Sequence, residues 1–575
     1  MLRGKAKLMN PQTVASVALA TDYDLVVLGA GAAGMTAALV GALEGLRVLL
    51  VEKTAQVGGT SSRSAGTLWI PGNFSMTQDA ACDDVTEART YLDALVGERS
   101  PAYLRDAFLR HGPEMLRFLL ARTEIRFKPC PKHADYHPEL PGSRPGGRPV
   151  EPELFDGRRL GEAFDLLRPT IPEFTVFGGM MVSKADIDLL LKAGRQWAGS
   201  VHAARVGGRY LRDRLSHRRG TRLTMGNALC GSLLEACLTH GVDLRVATEV
   251  TGIEALANHR YRLSLASAGG QRKFVEAKHG VIFAGGGFSG NAQARARHLP
   301  QPTPEYTAAF EGDDASSQAL AQSLGATLAT PREHNAWWFP CSIVPRADGS
   351  QGVFPHIIMD RAKPGLIAVR RDGKRFVNEG VSYHAFSRAQ YASDAVPCWL
   401  VCDATFLRRY GLGAIRPGGW GLHRAIKSGY VRTARTLEAL AGLVGVDAAG
   451  LVDSAQRMTR FARTGVDTDF GKGGDPLSRQ NGDSTQRPNP CLGAIETAPF
   501  YALQVAPADL GTSLGLKTDA CARLIDELGD PIPGLYACGN DMQSIMGGQY
   551  PAPGVTLGPA MTFAYVAARD AAANC

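Results

Sequence analysis

The stretch TDYDLVVLGAGAAGMTAALVGALEGLRVLLVEK, residues 21 to 53, decides the fold. Asp24 to Leu28 is a β-forming apolar run, Gly29, Gly31 and Gly34 fill a G-x-G-x-x-G turn, Ala32 to Leu43 is helical, and Arg47 to Val51 returns as a strand. Strand, glycine turn, helix and parallel strand in this order form a dinucleotide-binding unit. The first glycine permits the tight turn, the second lets main chain meet a pyrophosphate, and the third lets helix and strand close-pack. Ala30, Ala32 and Ala33 complete the turn, and Glu52, followed by Lys53, offers a carboxylate to a ribose diol.

FAD and NAD share this turn, so the next segment separates them. Gly58-Gly59-Thr60-Ser61, followed by Ser62, Ser64, Ala65 and Gly66, sets small donors behind the acid, a pattern suited to a ribityl-flavin tail. Gly59, Thr60, Ser61, Ala65 and Gly66 are the expected contacts. No histidine lies in this stretch, so the expected FAD is non-covalent. No second glycine turn serves NAD, which leaves an external electron acceptor such as a quinone.

Three distant segments read as parts of the same domain. THGVDLRVATEVTGIEA (239 to 255) is strand-like, with Val250 as an adenine-side contact; KHGVIFAGGGFSGN (278 to 291) is a strand running into Gly285 and Gly286; GLYACGND (534 to 541) is a strand running into Gly539 and Asn540. The fold class is therefore α/β: a Rossmann-like FAD-binding domain built from both ends of the chain with an inserted α+β catalytic domain. The expected boundaries are 1–295, 296–488 and 489–575, with 140–225 as a variable segment, a lid or a membrane contact. In the insertion, helices are expected over 312–325 and 432–463.

A chain of 575 residues, 45% hydrophobic and 21% charged, exceeds one core and is globular. The net charge of +8 is modest, and part of it lies in 196 to 220, where six arginines face Asp213. That segment is either a solvated helix face or a surface leaning on anionic lipid. Nothing resembles a zinc finger, an RNA-binding sheet motif or a helix-turn-helix, so nucleic acid is not an expected partner. Eleven scattered cysteines without CxxC or knuckle spacing suggest free thiols in a reducing compartment and no metal site. Without a signal-peptide pattern or an apolar run of spanning length, the expected location is cytoplasmic, with peripheral membrane contact through 140–225.

GGQYPAPGVTLGPAMTF, residues 547 to 563, suggests the chemistry. A helix over Thr556–Ala568 would present the N–H groups of Val555, Thr556 and Leu557 to the flavin's N1/C2-oxygen edge. Gly554 can turn its N–H toward substrate, while Pro551 and Pro553 restrict Tyr550. Hydroxyl and amide on one oxygen make an oxyanion-type site suited to a ketone; the alternative is a buried tyrosine in a plain loop. Tyr383, in FVNEGVSYHAF (376 to 386), is a proton acceptor if its pKa falls well below about 10, and Tyr136, in CPKHADYHPEL (130 to 140), is a candidate partner. Trp337, Trp338, Phe339, Phe354 and Phe386 line an apolar slot or are ordinary core.

With GAGAAG, VGGTSSRSAGTLWIPGN, FAGGGFSGN, GKRFVNEGVSY, NPCLGAIETAPFYA, DLGTSLGLKTD, GLYACGN and YPAPGVTLGPAMTFAYVAA in place, the sequence resembles the FAD-dependent 3-ketosteroid Δ1-dehydrogenases, within the fumarate reductase and succinate dehydrogenase flavoprotein superfamily. The resemblance spans residues 21 to 572. It implies a 3-ketosteroid substrate, with Tyr383 abstracting the C2 proton, Tyr136 supporting it, Tyr550 and the Gly554 N–H binding the C3 carbonyl, and hydride passing from C1 to flavin N5. The rivals are a Δ4-(5α)-dehydrogenase, a fumarate reductase-type enzyme, for which Arg375 keeps a trace of the pattern, and a non-catalytic flavin scaffold.

Overall fold

The computed structural model describes residues 19–574 except 75–83, 184–185, 187–188, 191–193, 195, 268 and 347. Strand β1 (Asp22–Leu28), helix α1 (Ala32–Leu43) and strand β2 (Val48–Val51) form the opening unit. Helices α2 (Ala102–Arg122), α3 (Trp197–Asp213) and α4 (Met225–Thr239) follow, then strands β3 (Asp243–Arg245), β4 (Thr248–Ala255), β5 (Tyr261–Ser267) and β6 (Arg272–Phe283). The expected strand over 239–255 is thus two strands. Ala247, at φ 48°, breaks it, and its N–H turns aside to the Thr54 carbonyl at 2.8 Å.

The second sheet contains β7 (Ala336–Pro345), β8 (Gln351–Pro355), β9 (Leu366–Val369), β10 (Cys398–Cys402), β11 (Arg432–Ala434) and β12 (Phe500–Thr512). Helix α5 (Tyr383–Ala392) lies against β7. The chain then returns to the first sheet through β13 (Arg523–Ile525) and β14 (Pro531–Ala537), and closes with helix α6 (Leu557–Ala573).

In the first sheet, β3, β2, β1, β6 and β14 run parallel in that order, and β5 and β4 continue antiparallel from the early part of β6. A parallel sheet covered on both faces needs strands that are apolar on both sides. β2 is buried throughout, as are the last four residues of β1 and of β6. Helices α4 and α6 both pack on α1. Register sets Leu28 opposite Val51 and Phe283, and Phe283 opposite Ala537, so the parallel strands end level. The glycine turns after β1, β6 and β14 therefore open along one edge, where parallel α/β sheets bind ligands.

Gly29 has φ 98°, and a Cβ there would lie 2.4 Å from the Ala284 carbonyl oxygen. A Cβ on Gly34 would sit 1.8 Å from the Gly29 carbonyl oxygen, whereas one on Gly31 would meet only Ser61 Oγ at 3.7 Å. Two of the three glycines thus meet backbone, and the third has room for a Cβ.

The second sheet is antiparallel, in the order β8-β7-β12-β10-β9, with β11 also on β12. Its central strand, β12, falls inside the segment 489–575 that the sequence assigns to the cofactor domain. Helix Ser316–Ser323, the core of the expected 312–325 helix, packs against β6 of the first sheet. We therefore propose that the insertion runs from about 336 to 512, the limits of β7 and β12, rather than 296 to 488. The expected 432–463 helix is interrupted. β11 is followed by helices Leu437–Val444 and Ala448–Thr464, because Gly445 caps the first in a left-handed conformation and Asp447 accepts from the Gly450 N–H to start the second.

Replacing Gly34 with Ala should lower stability by about 1–3 kcal/mol, since an added methyl meets unyielding main chain. Urea titration of the flavin-loaded protein measures it, and an unchanged midpoint would contradict the close packing.

Candidate functional site

The glycine turn after β1 leaves hydrogen-bond donors unused. Ala30 N–H donates to Glu52 Oε2 at 3.0 Å and Ala32 N–H to Ser61 Oγ at 3.1 Å. Among the described residues, no hydrogen bond uses the N–H of Gly31, Ala33 or Gly34. Unpaired N–H groups at a helix start form an anion site. The Gly58 N–H donates to the Ala30 carbonyl at 2.8 Å and holds the 58–66 loop over this turn. Gly59 faces open space, Ala65 is exposed, and Gly66 is pressed against the Met225–Gly226 main chain.

Glu52 lies buried at the end of β2, but its Oε1 also accepts from the Thr54 N–H and hydroxyl at 2.9 and 2.7 Å. Lys53 pairs with Asp314 at 2.5 Å. Val250 sits on the outer strand β4 and pairs with Leu265. Gly285 and Gly286 follow β6; Gly539 follows β14, with Asn540 packed against Gly287 and Gly511.

Two carboxylates escaped the sequence reading. Asp541 accepts from the Gly285 and Gly287 N–H groups at 2.6 and 2.9 Å, and Asp313 accepts from the Thr60 hydroxyl at 2.7 Å. Burial, with each other's charge adding to it for Asp313, pushes both carboxyls up. Asp541 directly follows the Asn540 that the glycine motif singled out; Asp313 lies in no recognisable pattern.

Tyr136, Tyr383 and Tyr550 meet although they come from three remote segments. Their ring centroids are 5.5 Å apart for Tyr136–Tyr383, 5.1 Å for Tyr383–Tyr550 and 5.9 Å for Tyr136–Tyr550. The Tyr383 ring meets both of the others edge-on. Tyr550 is buried, and Tyr136 and Tyr383 are partly open.

Gly554, shortly after Tyr550, is fixed against Trp69. Its carbonyl accepts the Trp69 N–H at 3.1 Å, and a Cβ on it would lie 2.6 Å from Trp69 N. α6 starts at Leu557 after Thr556, and among the described residues no hydrogen bond uses the N–H of Gly554, Val555, Thr556 or Leu557. A second set of open donors thus lies at the start of α6, a few residues past Tyr550.

The Tyr136 loop is held by a buried charge group. Asp135 accepts from Trp69 Nε1 at 3.0 Å and from Arg148 Nη1 at 2.5 Å, while Arg148 Nε donates to Asp84 at 2.9 Å. The Tyr136 N–H and the Tyr91 hydroxyl both donate to the Pro551 carbonyl at 2.7 Å. On the Tyr383 side, Arg375 forks onto Glu379 at 2.8 and 2.9 Å and reaches Asp467, and Lys472 lies 3.4 Å from Glu379. Ser382 caps α5 by accepting from the Ala385 N–H, so Tyr383 is the first residue of that helix.

Two expectations change. Tyr383 is pushed well above an ordinary phenol by burial and then by its neighbouring phenols, rather than below it, because no cation touches its hydroxyl. Tyr550 is pushed up to about 12 by burial. The aromatic slot also dissolves in part: Trp338 packs with Phe288 and Leu299, and Phe386 with Phe376, as core. Phe339 shares a cluster with Tyr383. His384 went unnoticed in the sequence; it is 5.6 Å from the Tyr550 ring, accepts from the Trp338 N–H, and is kept neutral by burial.

Nine described cysteines are free, while Cys82 and Cys575 lie outside the described residues. No metal was expected, yet the fold brings ligand atoms of Cys130, His133 and Glu151 within 4.8 Å of one another. The Lys128 ammonium, 3.4 Å from Glu151, already neutralises that carboxylate.

The family model for the FAD binding domain matches residues 24–557. A 3-oxosteroid 1-dehydrogenase of Mycolicibacterium smegmatis is 37% identical over 96% of this chain and 98% of its own length. The chain belongs to the FAD-dependent 3-ketosteroid Δ1-dehydrogenase family. A 4-oxocyclohex-2-ene-1-carboxylate 5-dehydrogenase of Sinomonas cyclohexanicum is also 37% identical, over 96% of this chain and 93% of its own. The crystal structure of the 3-ketosteroid Δ1-dehydrogenase of Sterolibacterium denitrificans in complex with 1,4-androstadiene-3,17-dione superposes with a TM-score of 0.88 at 35% identity, covering 97% of this chain and 100% of that one.

FAD is the cofactor of this dehydrogenase family, held non-covalently. The residues present fit it: the open donors at Gly31, Ala33 and Gly34 suit a pyrophosphate, and a Cβ at Gly31 or Gly59 would project into the space left for it. Replacing Arg148 with Met should cost about 3–5 kcal/mol by leaving the buried Asp135 without its cation. Denaturant titration measures the loss, and a change below about 1 kcal/mol would mean that the pair is dispensable.

Proposed function

We propose that this chain desaturates the C1–C2 bond in ring A of a 3-ketosteroid. The observation that carries the reading is the meeting of three phenols, one of them Tyr550, just ahead of the unpaired Gly554 N–H in the chain. The Tyr550 hydroxyl and the Gly554 N–H hold the C3 oxygen, and charge drawn onto that oxygen acidifies the C2 hydrogen. Tyr383 takes the C2 proton, and the adjacent Tyr136 phenol steadies the resulting charge. FAD, when bound, supplies the acceptor for the hydride that leaves C1. Burial strengthens every polar contact in the site.

The cyclohexane-carboxylate relative supports a second reading, a small ring ketone bearing a carboxylate. A neutral flat ketone fits better. Arg361, the cation that Tyr136 feels, spends its N–H groups on main-chain carbonyls, and Arg375 is buried against Glu379 and Asp467. The same engagement of Arg375 weakens the fumarate-type reading. Electrons leave to an external acceptor of quinone class, since the sequence carries no second dinucleotide turn.

Segment 140–225 supports contact with an anionic lipid surface. No helix among the described residues is long and apolar enough to cross a membrane. On α3, Trp197, Val201, Ala204, Gly208 and Leu211 follow spacings of four and three, and Leu215 continues the stripe just past the helix. Trp197, Leu211 and Leu215 are 84%, 70% and 88% exposed, and exposed Arg205, Arg212, Arg214 and Arg218 flank them. Apolar side chains bordered by arginines suit a lipid interface.

Anaerobic mixing with androst-4-ene-3,17-dione should bleach the flavin and yield the 1,4-diene, identified by mass and ring-A proton spectra; a product desaturated elsewhere, or none, sinks the assignment. Tyr383→Phe should cut turnover about 10²–10⁴-fold with flavin retained, and Tyr550→Phe should raise the chemical barrier by about 3 kcal/mol. Stopped-flow flavin reduction reads both, and rates equal to the parent would reject those roles. Flotation with phosphatidylserine vesicles should recover the protein and fail when Trp197, Leu211 and Leu215 become Ser; no recovery of the parent at any ionic strength would reject lipid contact.

A further inference from the structure

A phenol that burial holds protonated is a weak proton acceptor at neutral pH unless a positive charge opposes the burial. Arg361 supplies one from a place the sequence did not mark. It ends the short helix Ile358–Arg361, is completely buried, and lies 4.5 Å above the Phe386 ring. Its Nε donates to the His356 carbonyl at 3.0 Å, Nη1 to the Glu379 carbonyl at 2.7 Å and Nη2 to the Val381 carbonyl at 3.2 Å. Glu379 and Val381 belong to the turn that delivers Tyr383 to the start of α5. Ile358, from the same short helix, and Ala362, which caps it, pack with Ala134 and Tyr136. One guanidinium thus braces the Tyr383 turn from a helix that packs on the Tyr136 loop.

Nearby charges leave Arg361 uncompensated at close range. Asp360 is 2.8 Å from His356 Nδ1, and Glu379 directs its carboxylate to Arg375 and Lys472, with Asp467 beyond Arg375. Among the described residues, no carboxylate lies within ion-pair distance of Arg361. Cys398, the remaining acid beside it, is kept as a neutral thiol by burial. On the far side of the phenols, burial keeps His384 neutral, Arg388 bonds Gln549 and His137 meets Glu139. Burial pulls Arg361 down only to about 10, so it stays cationic at neutral pH, and its charge lowers Tyr136 against burial.

Resting on the reading of Tyr383 as base, we propose that Arg361 is an electrostatic positioning residue: it holds the Tyr383 turn by three carbonyl bonds and favours the ionised form of the Tyr136–Tyr383 pair. It does not touch substrate. A carbonyl-bonded arginine suits this task because a carboxylate partner would cancel the field that the phenols need.

The test is kcat against pH for the FAD-loaded enzyme with androst-4-ene-3,17-dione. Activity requires an ionised phenol, so kcat rises as pH passes the apparent pKa of the pair. Arg361→Gln should move it up by about one pH unit or more, and Arg361→Lys, which keeps the charge, should leave it near the parent's position. An Arg361→Gln limb that does not move, or an Arg361→Lys limb that moves as far as that of Gln, would each overturn the proposal. If Arg361→Gln does not retain flavin, Arg361→Lys decides it: a limb displaced upward from the parent's by about one pH unit or more would overturn the proposal. Full activity in Tyr383→Phe would instead reject the base itself, so the two failures are distinguishable.

Discussion

Asp135 is the tie on which the site depends. Its carboxylate accepts from the Trp69 indole and from Arg148, the adjacent Tyr136 N–H bonds the Pro551 carbonyl, and the Trp69 N–H bonds the Gly554 carbonyl. Three segments distant in sequence are thereby locked around one small volume. Burial raises Asp135, and the Arg148 charge opposes that rise. Removing either partner would leave an unpaired charge in the core, so the tie resists partial loss.

Charge is handled by enclosure. Arg148 pairs with Asp84 and Asp135 on one flank, and Arg375 and Lys472 pair with Glu379 and Asp467 on the other. Between them stand neutral groups: three phenols, the neutral His384, and the open N–H groups at the start of α6. Such a site gives little help to a carboxylate substrate. It strongly favours charge that appears on a ketone oxygen during reaction, where preoriented donors act at low dielectric.

The first sheet serves the same end. Because β1, β6 and β14 end level, their glycine turns share an edge, and α6 leaves that edge already packed on α1. The second sheet is inserted between β6 and β14, and its central strand β12 leads back to the first. Tyr383 therefore arrives from the insertion, while Tyr136 and Tyr550 arrive from the segments before and after it.

The sequence by itself determined what is local. The G-x-G-x-x-G unit with Glu52 declared the cofactor domain, because turn, helix start and strand period are properties of neighbouring residues. Tyr550-Pro-Ala-Pro-Gly554 could be read for the same reason. Tertiary structure alone decided what depends on contacts between remote segments. The separation of β3 from β4 needed the pull of Thr54 on Ala247, and the place of β12 in the second sheet needed β7 and β10. Asp135, Arg148, Asp313 and Arg361 carry no spacing signal, because their partners lie far away in the chain. The direction in which Tyr383 is shifted could not be read at all: it is set by desolvation and by neighbours that meet it only once the chain has folded.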